Sequence, residues 1–295
     1  MKNKFYDKLR NRMMYPVVVA FCVTAIITLG TINTFANHPV LVEGNCLGDG
    51  TAQRTTVPPG TCGDYDGDGL IGTAEDNDTP FDRVFGTINA ANSATGANNN
   101  GTITIVANGT FPEVVTITGN VTLQAAPGVI ANIDAVVQGE AGSGGRQGQP
   151  GIIVNSTVNN AVVIRNITSK NWTSGIRIMG DSRVSIQNCR FENNVNFGIE
   201  VDGNARVTIV KSSVRATGFR ISAVGGFPFN NAPSPGTGIH FIGNSSGSIF
   251  STSVSGSFTT GISDFSTGSV CAFAINVFDN SPNLLNIVPS ATPCS

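Results

Sequence analysis

The chain has 295 residues, of which only 12% are charged, and its 17 Lys and Arg nearly balance 19 Asp and Glu for a formal net charge of −2. No cluster of basic residues stands out, so neither nucleic acid nor an anionic membrane surface is an expected partner. With few charges and abundant β-branched residues, the composition points to an all-β body.

In chain order, the first segment is a basic leader, "MKNKFYDKLRNR", followed by an apolar run over residues 13–30 and then "TINTFANHPV". Thr34 and Ala36 form a small-residue cleavage site, so residues 1–36 read as an export signal and the folded part as secreted or displayed at the cell surface. An uncleaved anchor is the alternative, although the apolar run is only marginally long enough to span a bilayer. Without the leader the chain keeps 12 basic and 18 acidic residues, a net charge of −6. Outside the cytoplasm disulfides are permitted, and the two sequence-local pairings are Cys46 with Cys62 and Cys271 with Cys294. Cys189 is then unpaired. In "VSIQNCRF" it shares a side with Ile186 only if a bend intervenes, and it reads as a buried, inert thiol.

Residues 37–79 form a separate N-terminal segment that ends in "DYDGDGLIGTAE". Asp64, Asp66 and Asp68 fall at positions 1, 3 and 5 of a twelve-residue loop. Gly69 supplies the sharp turn, Leu70 a carbonyl at position 7 and Glu75 two oxygens at position 12. A hard cation needs six to eight such oxygens, and the spacing predicts Ca2+. The loop resembles those of dockerins and thrombospondin-type calcium repeats, but it is single. The preceding "GDGTAQRTTVPPGTCG" carries no helical period, so a structural clip is expected in place of a switch.

From residue 80 onward the expectation is a capping helix followed by one solenoid. In "TPFDRVFGTINAA", Thr79 suits an N-cap and Pro80 the first helical position, and Phe81, Val84, Phe85 and Ile88 follow helical spacing. This helix is expected to plug one end of the stack. The chain after Phe278 is expected to cover the other end.

Five units then begin with Gly followed by Ile, at Gly151, Gly175, Gly198, Gly238 and Gly261, separated by 24, 23, 40 and 23 residues. The interval of 40 holds a 17-residue insertion near "TGFRISAVGGFPFNNAPSP". Each unit carries three short alternating strands, which cannot bury their apolar faces alone and must stack on the next unit. These repeats, with the upstream phrase "GTFPEVVTI", resemble the pectate lyase superfamily over roughly residues 80 to 280. The resemblance implies a right-handed parallel β-helix, monomeric and all-β.

Aligning the repeats places Ile153, Arg177, Glu200, His240 and Ser263 in one outward column. Trp172 occupies the turn before Arg177, and the insertion the turn before His240. Such a column, beside an overhanging loop, is the kind of groove an extracellular polysaccharide occupies. Arg177, Glu200 and His240 are the candidate catalytic residues, and Trp172, Arg177 and His240 the candidate substrate-binding ones. Elimination of a uronate would use Arg177 or His240 as base. The superfamily's lyase signatures and polygalacturonase motifs are absent, so a structural or adhesive solenoid stands as the alternative. Asp202, Asp264, Lys211 and Arg215 read as isolated surface charges, and residues 142–151, "GSGGRQGQPG", as a loop. Asn166 and Asn188 occupy equivalent repeat positions and suggest an internal asparagine ladder.

Overall fold

The structure, a computed structural model, describes residues 40–42, 55–56, 70–71, 84–93, 99–135, 148–156, 161–215, 217–218, 236–280, 282–292 and 294. The chain divides into Met1–His38 and Pro39–Ser295, and all described residues lie in the second unit. The leader, the four carboxylates of the calcium loop, Cys46, Cys62 and residues 219–235 of the insertion lie outside them.

Three parallel sheets form a solenoid. The first has nine strands and runs, from the C-terminal end, through Val270–Phe273, Ser246–Phe250, Arg206–Val210, Arg183–Gln187, Ala161–Arg165, Asn120–Ala125 and Asn99–Ile105 to Val40–Val42 and Val84–Phe85. The second holds the strands that begin the Gly-Ile units: Leu284–Leu285, Thr260–Asp264, Thr237–Phe241, Phe197–Val201, Ser174–Gly180, Ile152–Ser156 and Val115–Ile117. The third comprises Asn276–Phe278, Ser253–Ser255, Ser213–Arg215, Arg190–Glu192, Ile167–Lys170, Ala131–Asp134 and Gly109–Phe111. From Asn99 onward the chain visits first, third and second sheet in strict rotation, so each circuit is one coil.

Alternation sends every second side chain inward, and the register stacks like on like. Ile164, Ile186, Ile209 and Ile249 form one buried column, and Ile176, Ile199, Ile239 and Ile262 another. Each buried Ile contributes roughly 1.5–3 kcal/mol of transfer free energy. The pattern is self-reinforcing because each coil presents the same face to the next.

The repeat glycine has a steric cause. A Cβ on Gly238 would lie 2.5 Å from the Gly261 carbonyl oxygen and 2.5 Å from Val254 Cγ1. At this corner the backbone of the next coil and a core side chain fill the space that any larger residue needs.

Between first and third sheets the chain turns on a single residue in the left-handed region. Asn166, Asn188, Lys211, Ser251 and Ala274 all take φ between 46° and 57°. Their amides run a continuous ladder, Asn166 to Gln187, Asn188 to Val210, Lys211 to Phe250 and Ser251 to Phe273. The expected internal ladder at Asn166 and Asn188 is therefore corrected: both side chains are exposed, and the position selects for positive φ. Side-chain ladders occur elsewhere. Outside, Thr267 donates to Asn244, Asn244 to Asn204 and Asn204 to Asp181, at 2.7, 3.1 and 2.9 Å. Inside, Asn194 is fully buried, accepts from the Trp172 amide and donates to the Ser169 carbonyl. Asn280 does the same one end along, accepting from the Ser257 amide and donating to the Val254 carbonyl.

The helix begins later than expected. Val84–Phe85 is a strand paired in parallel with Val40–Val42, and the helix covers Ile88–Ser93. A β-branched residue and an aromatic suit the sheet edge, and Thr87, not Thr79, provides the N-cap hydroxyl, accepting from the Ala90 amide at 3.2 Å. Glu113 of "GTFPEVVTI" accepts from the Ile88 and Asn89 amides at 2.7 and 3.0 Å, placing a carboxylate at the helix N-terminus. The helix buries Ile88 and Ala91, while Asn89 and Asn92 donate to the carbonyls of Val114 and Thr116. Those side chains satisfy the open edge of the second sheet, the edge that would otherwise invite another strand. At the other end Cys271 is bonded to Cys294, and the Ser290 amide donates to the Ala272 carbonyl.

Cys189 is buried, as expected, because Asn188 supplies the bend. Its thiol points at the carbonyls of Gln187 and Ile164, and burial pushes its pKa up to about 11.

Candidate functional site

The outer face of the second sheet carries the aligned column. Ile153 pairs with Arg177, Arg177 with Glu200, Glu200 with His240 and His240 with Ser263, each on an adjacent strand. Neighbouring members therefore stand about 4.8 Å apart along the solenoid axis.

These residues are not independent surface groups. Arg177 Nε lies 3.4 Å from Glu200 Oε1, and its Nη2 lies 3.7 Å from Asp202 Oδ2. Glu200 is only 8% exposed, and Ser174 Oγ donates to its Oε2 at 3.1 Å. Burial raises the Glu200 pKa and the Asp202 charge adds to the rise, while Arg177 and the Ser174 hydroxyl oppose it. Asp202, expected to be isolated, thus belongs to a three-member charge group. It sits two residues after Glu200 on the same side of the chain, within reach of the same guanidinium.

His240 Nδ1 lies 2.6 Å from Ser263 Oγ, with the donor set by the imidazole tautomer. Burial lowers the His240 pKa against the raising influence of Asp202 and Asp264. Phe197 stacks on the imidazole, with ring centroids 4.9 Å apart and planes 6° from parallel. Phe265 meets it edge-on at 5.9 Å and is itself 56% exposed. Asp264 is not isolated either, since its Oδ1 accepts from the Ser266 amide and hydroxyl.

Trp172 requires a correction. It was expected to flank the groove, but it is fully buried and its indole N–H donates to the Ile133 carbonyl at 3.0 Å. The preceding Asn171 takes φ 65° and turns the chain inward, so the next position points into the core. The following coils place Asn194, Thr217 and Ser257 at that inward corner, all buried. Trp172 is a filler of the solenoid interior and cannot stack on a ligand.

Sequence reasoning missed the aromatic members. The residues before the repeat glycines are Ser174, Phe197, Thr237 and Thr260, and Phe197 stands out as the one large apolar side chain in a row of small hydroxyl residues. Phe265, just past the end of its strand, gives no comparable repeat signal.

Chemically, the face offers a cation, a carboxyl that holds its proton more readily than usual, a neutral imidazole at pH 7, and an exposed phenyl ring. A neutral imidazole serves as a base and a raised carboxyl as an acid, and perturbed groups of this kind concentrate at functional sites.

A family model described as a right handed beta helix region matches residues 103–281. The chain belongs to the right-handed β-helix family. That match covers most of the solenoid and fixes its hand, in agreement with the three parallel sheets. No curated protein matches the chain, and no solved structure does. Family membership carries a fold and no reaction.

Among the described residues no group of His, Cys, Asp and Glu is arranged to hold a metal ion. Of the candidate calcium ligands only Leu70 is described. It lies with Ile71 in a two-residue strand antiparallel to Thr55–Thr56.

Proposed function

We propose that this protein is an extracellular polysaccharide-binding β-helix whose ligand lies along the outer face of the second sheet, over Arg177, Glu200, His240 and Phe265. The observation that carries the reading is the arrangement around His240: an imidazole held between two phenyl rings, in register with a mostly buried carboxyl and its arginine. Sugar rings present apolar faces and hydroxyl edges, which an exposed Phe265 and a row of donors and acceptors match. An acidic sugar would engage Arg177, in competition with Glu200 and Asp202. If the surface is catalytic, β-elimination suits it, with His240 removing a proton from the carbon beside a uronate carboxylate while the bond from the next carbon to the glycosidic oxygen breaks and the departing sugar oxygen takes a proton from water.

Export and calcium complete the proposal. The Cys271–Cys294 disulfide suits an oxidising compartment, in keeping with the leader over residues 1–36. Asp64, Asp66, Asp68, the Leu70 carbonyl and Glu75 would hold Ca2+ as a clip, and the Thr56–Leu70 pairing supports a fixed position for that carbonyl.

The second reading, a structural or adhesive solenoid, draws support from the same contacts. Arg177 pairs with Glu200, Ser174 donates to Glu200, and His240 bonds Ser263, as surface residues of a plain rod would. A screen of the purified chain, with calcium present, against acidic and neutral polysaccharides separates the two. Binding that falls in Arg177→Ala and His240→Ala supports the groove, and growth of ultraviolet absorbance from unsaturated products makes it a lyase. Silence across the screen from folded protein supports the rod.

A further inference from the structure

The corner where the first sheet turns into the third is concave on its outer side. A depression of about 610 Å3 is lined there by Asn188, Arg190, Lys211, Ser251 and neighbours. It adjoins a second depression of about 540 Å3 that reaches Arg215, Ser255, Phe278 and the carboxylate of Asp279. Ser213, Ser253 and Asn276 line both, so the two make one trough. Its floor is a register column, Arg190 to Ser213 to Ser253 to Asn276, three coil steps or about 14 Å long.

Two features of this trough point to an acidic, hydroxyl-rich ligand. The first is charge. In a chain of net charge −2, Arg190, Lys211 and Arg215 gather on two adjacent coils, against the one carboxylate of the lining, Asp279. Arg190 lies 3.5 Å from Glu192, but neither Lys211 nor Arg215 has an ion-pair partner among the described residues. The second is hydrogen-bonding capacity. The hydroxyls of Ser213, Ser251, Ser253 and Ser255 carry no bond to another described group and face the trough with the Asn276 amide.

We propose that the trough is a second glycan site, separate from the face that carries His240, and that it takes a uronate-bearing saccharide. Lys211 and Arg215 receive the carboxylates, the serine hydroxyls and Asn276 receive sugar hydroxyls, and Phe278, 42% exposed, closes one end. The site binds and performs no reaction.

The test uses the full chain and three probes: a hexamer of galacturonic acid, the same hexamer as its neutral methyl ester, and inorganic polyphosphate. Calorimetry is run on the parent and on Arg177→Ala, which removes the cation of the other face, each with and without Lys211→Asn and Arg215→Gln. Acetylation of Lys211, read by mass spectrometry, reports occupancy directly. The expected result is that the uronate hexamer binds in the Arg177→Ala background and protects Lys211. Adding Lys211→Asn and Arg215→Gln should then weaken binding by about tenfold or more. The ester should bind weakly. Because Asn suits the turn, Lys211→Asn should melt at or above the parent temperature, which separates lost binding from lost folding. Unchanged affinity in the double variant, an unprotected Lys211, or polyphosphate binding as well as the hexamer each overturns the proposal. Binding abolished by Arg177→Ala alone would place the glycan on the second sheet and remove the trough, leaving the first reading intact.

Discussion

Replacing Gly238 by Ala tests the steric account of the repeat. The added Cβ would sit 2.5 Å from the Gly261 carbonyl oxygen, 2.5 Å from Val254 Cγ1 and 2.9 Å from Ser257 Oγ. Contacts under 3.0 Å are essentially never made by real Cβ atoms, so the strand must move away from its neighbour by a large fraction of an ångström. Movement in that direction stretches the bonds between Thr237–Phe241 and Thr260–Asp264. Overpacking costs about 1–3 kcal/mol and each weakened backbone bond about 1 kcal/mol. The lower entropy of an unfolded alanine offsets about 0.4–1 kcal/mol. The expected destabilisation is about 2–4 kcal/mol, or a melting point lower by roughly 4–12 °C for a domain of this size. Gly148→Ala is the control, since its Cβ would meet nothing within 4 Å, and it should leave the melt unchanged or slightly raised. Thermal and urea melts followed by circular dichroism decide the matter. A Gly238→Ala chain as stable as the parent would refute the claim that packing at the corner, and not chain history, keeps glycine in the repeat.

Three further outcomes are expected. Trp172→Phe leaves the buried Ile133 carbonyl without its donor and should destabilise by about 2–4 kcal/mol in a urea melt without altering polysaccharide affinity; a loss of affinity at unchanged stability would return Trp172 to the groove. The imidazole of His240, followed by nuclear magnetic resonance, should titrate below its ordinary 6.5, and Asp202→Asn should lower it further because the Asp202 charge holds it up. The folded chain favours neutral His240, so its contribution to stability is full above pH 6.5 and is lost as pH falls through that value toward the lowered one. Glu200 acts in the opposite sense, its contribution being full below 4.5 and lost as pH rises through its raised value. Chelation of calcium should lower the melting temperature while leaving the β-sheet spectrum at low temperature unchanged, and Glu75→Gln should do the same; an unaltered melt removes the clip.

The solenoid was legible because its cause is periodic. Gly198, Gly238 and Gly261 mark the same corner in successive coils, and the Ile residues after them mark the same buried column, so one alignment placed Arg177, Glu200 and His240 on adjacent strands. What was not legible is what a single residue does at a turn. Asn171 at positive φ decides that Trp172 points inward, and nothing in the surrounding letters distinguishes it from an outward turn. Asn166 and Asn188 looked like an internal ladder for the same reason, since asparagine serves both a left-handed turn and a buried bonding column. The buried asparagine that bonds across coils is Asn194. Around the candidate site the register gave the row but not the distances, so the Arg177 contact to Asp202 and the stacking of Phe197 on His240 appear only in three dimensions. The helix start was missed because Val84 and Phe85 fit a helical period as well as a short edge strand, and only the pairing with Val40–Val42 chooses between them.

One titration tests the placement of the ligand most directly. The polysaccharide that binds best in the screen is titrated by calorimetry into the parent chain, Arg177→Ala, His240→Ala and Phe265→Ala, with folding checked by melt in each case. Placement of the ligand on the second sheet predicts that all three variants lose affinity, by about tenfold for Arg177→Ala and by several-fold for the two ring truncations. Parent-like affinity in all three, from chains that melt like the parent, would contradict it.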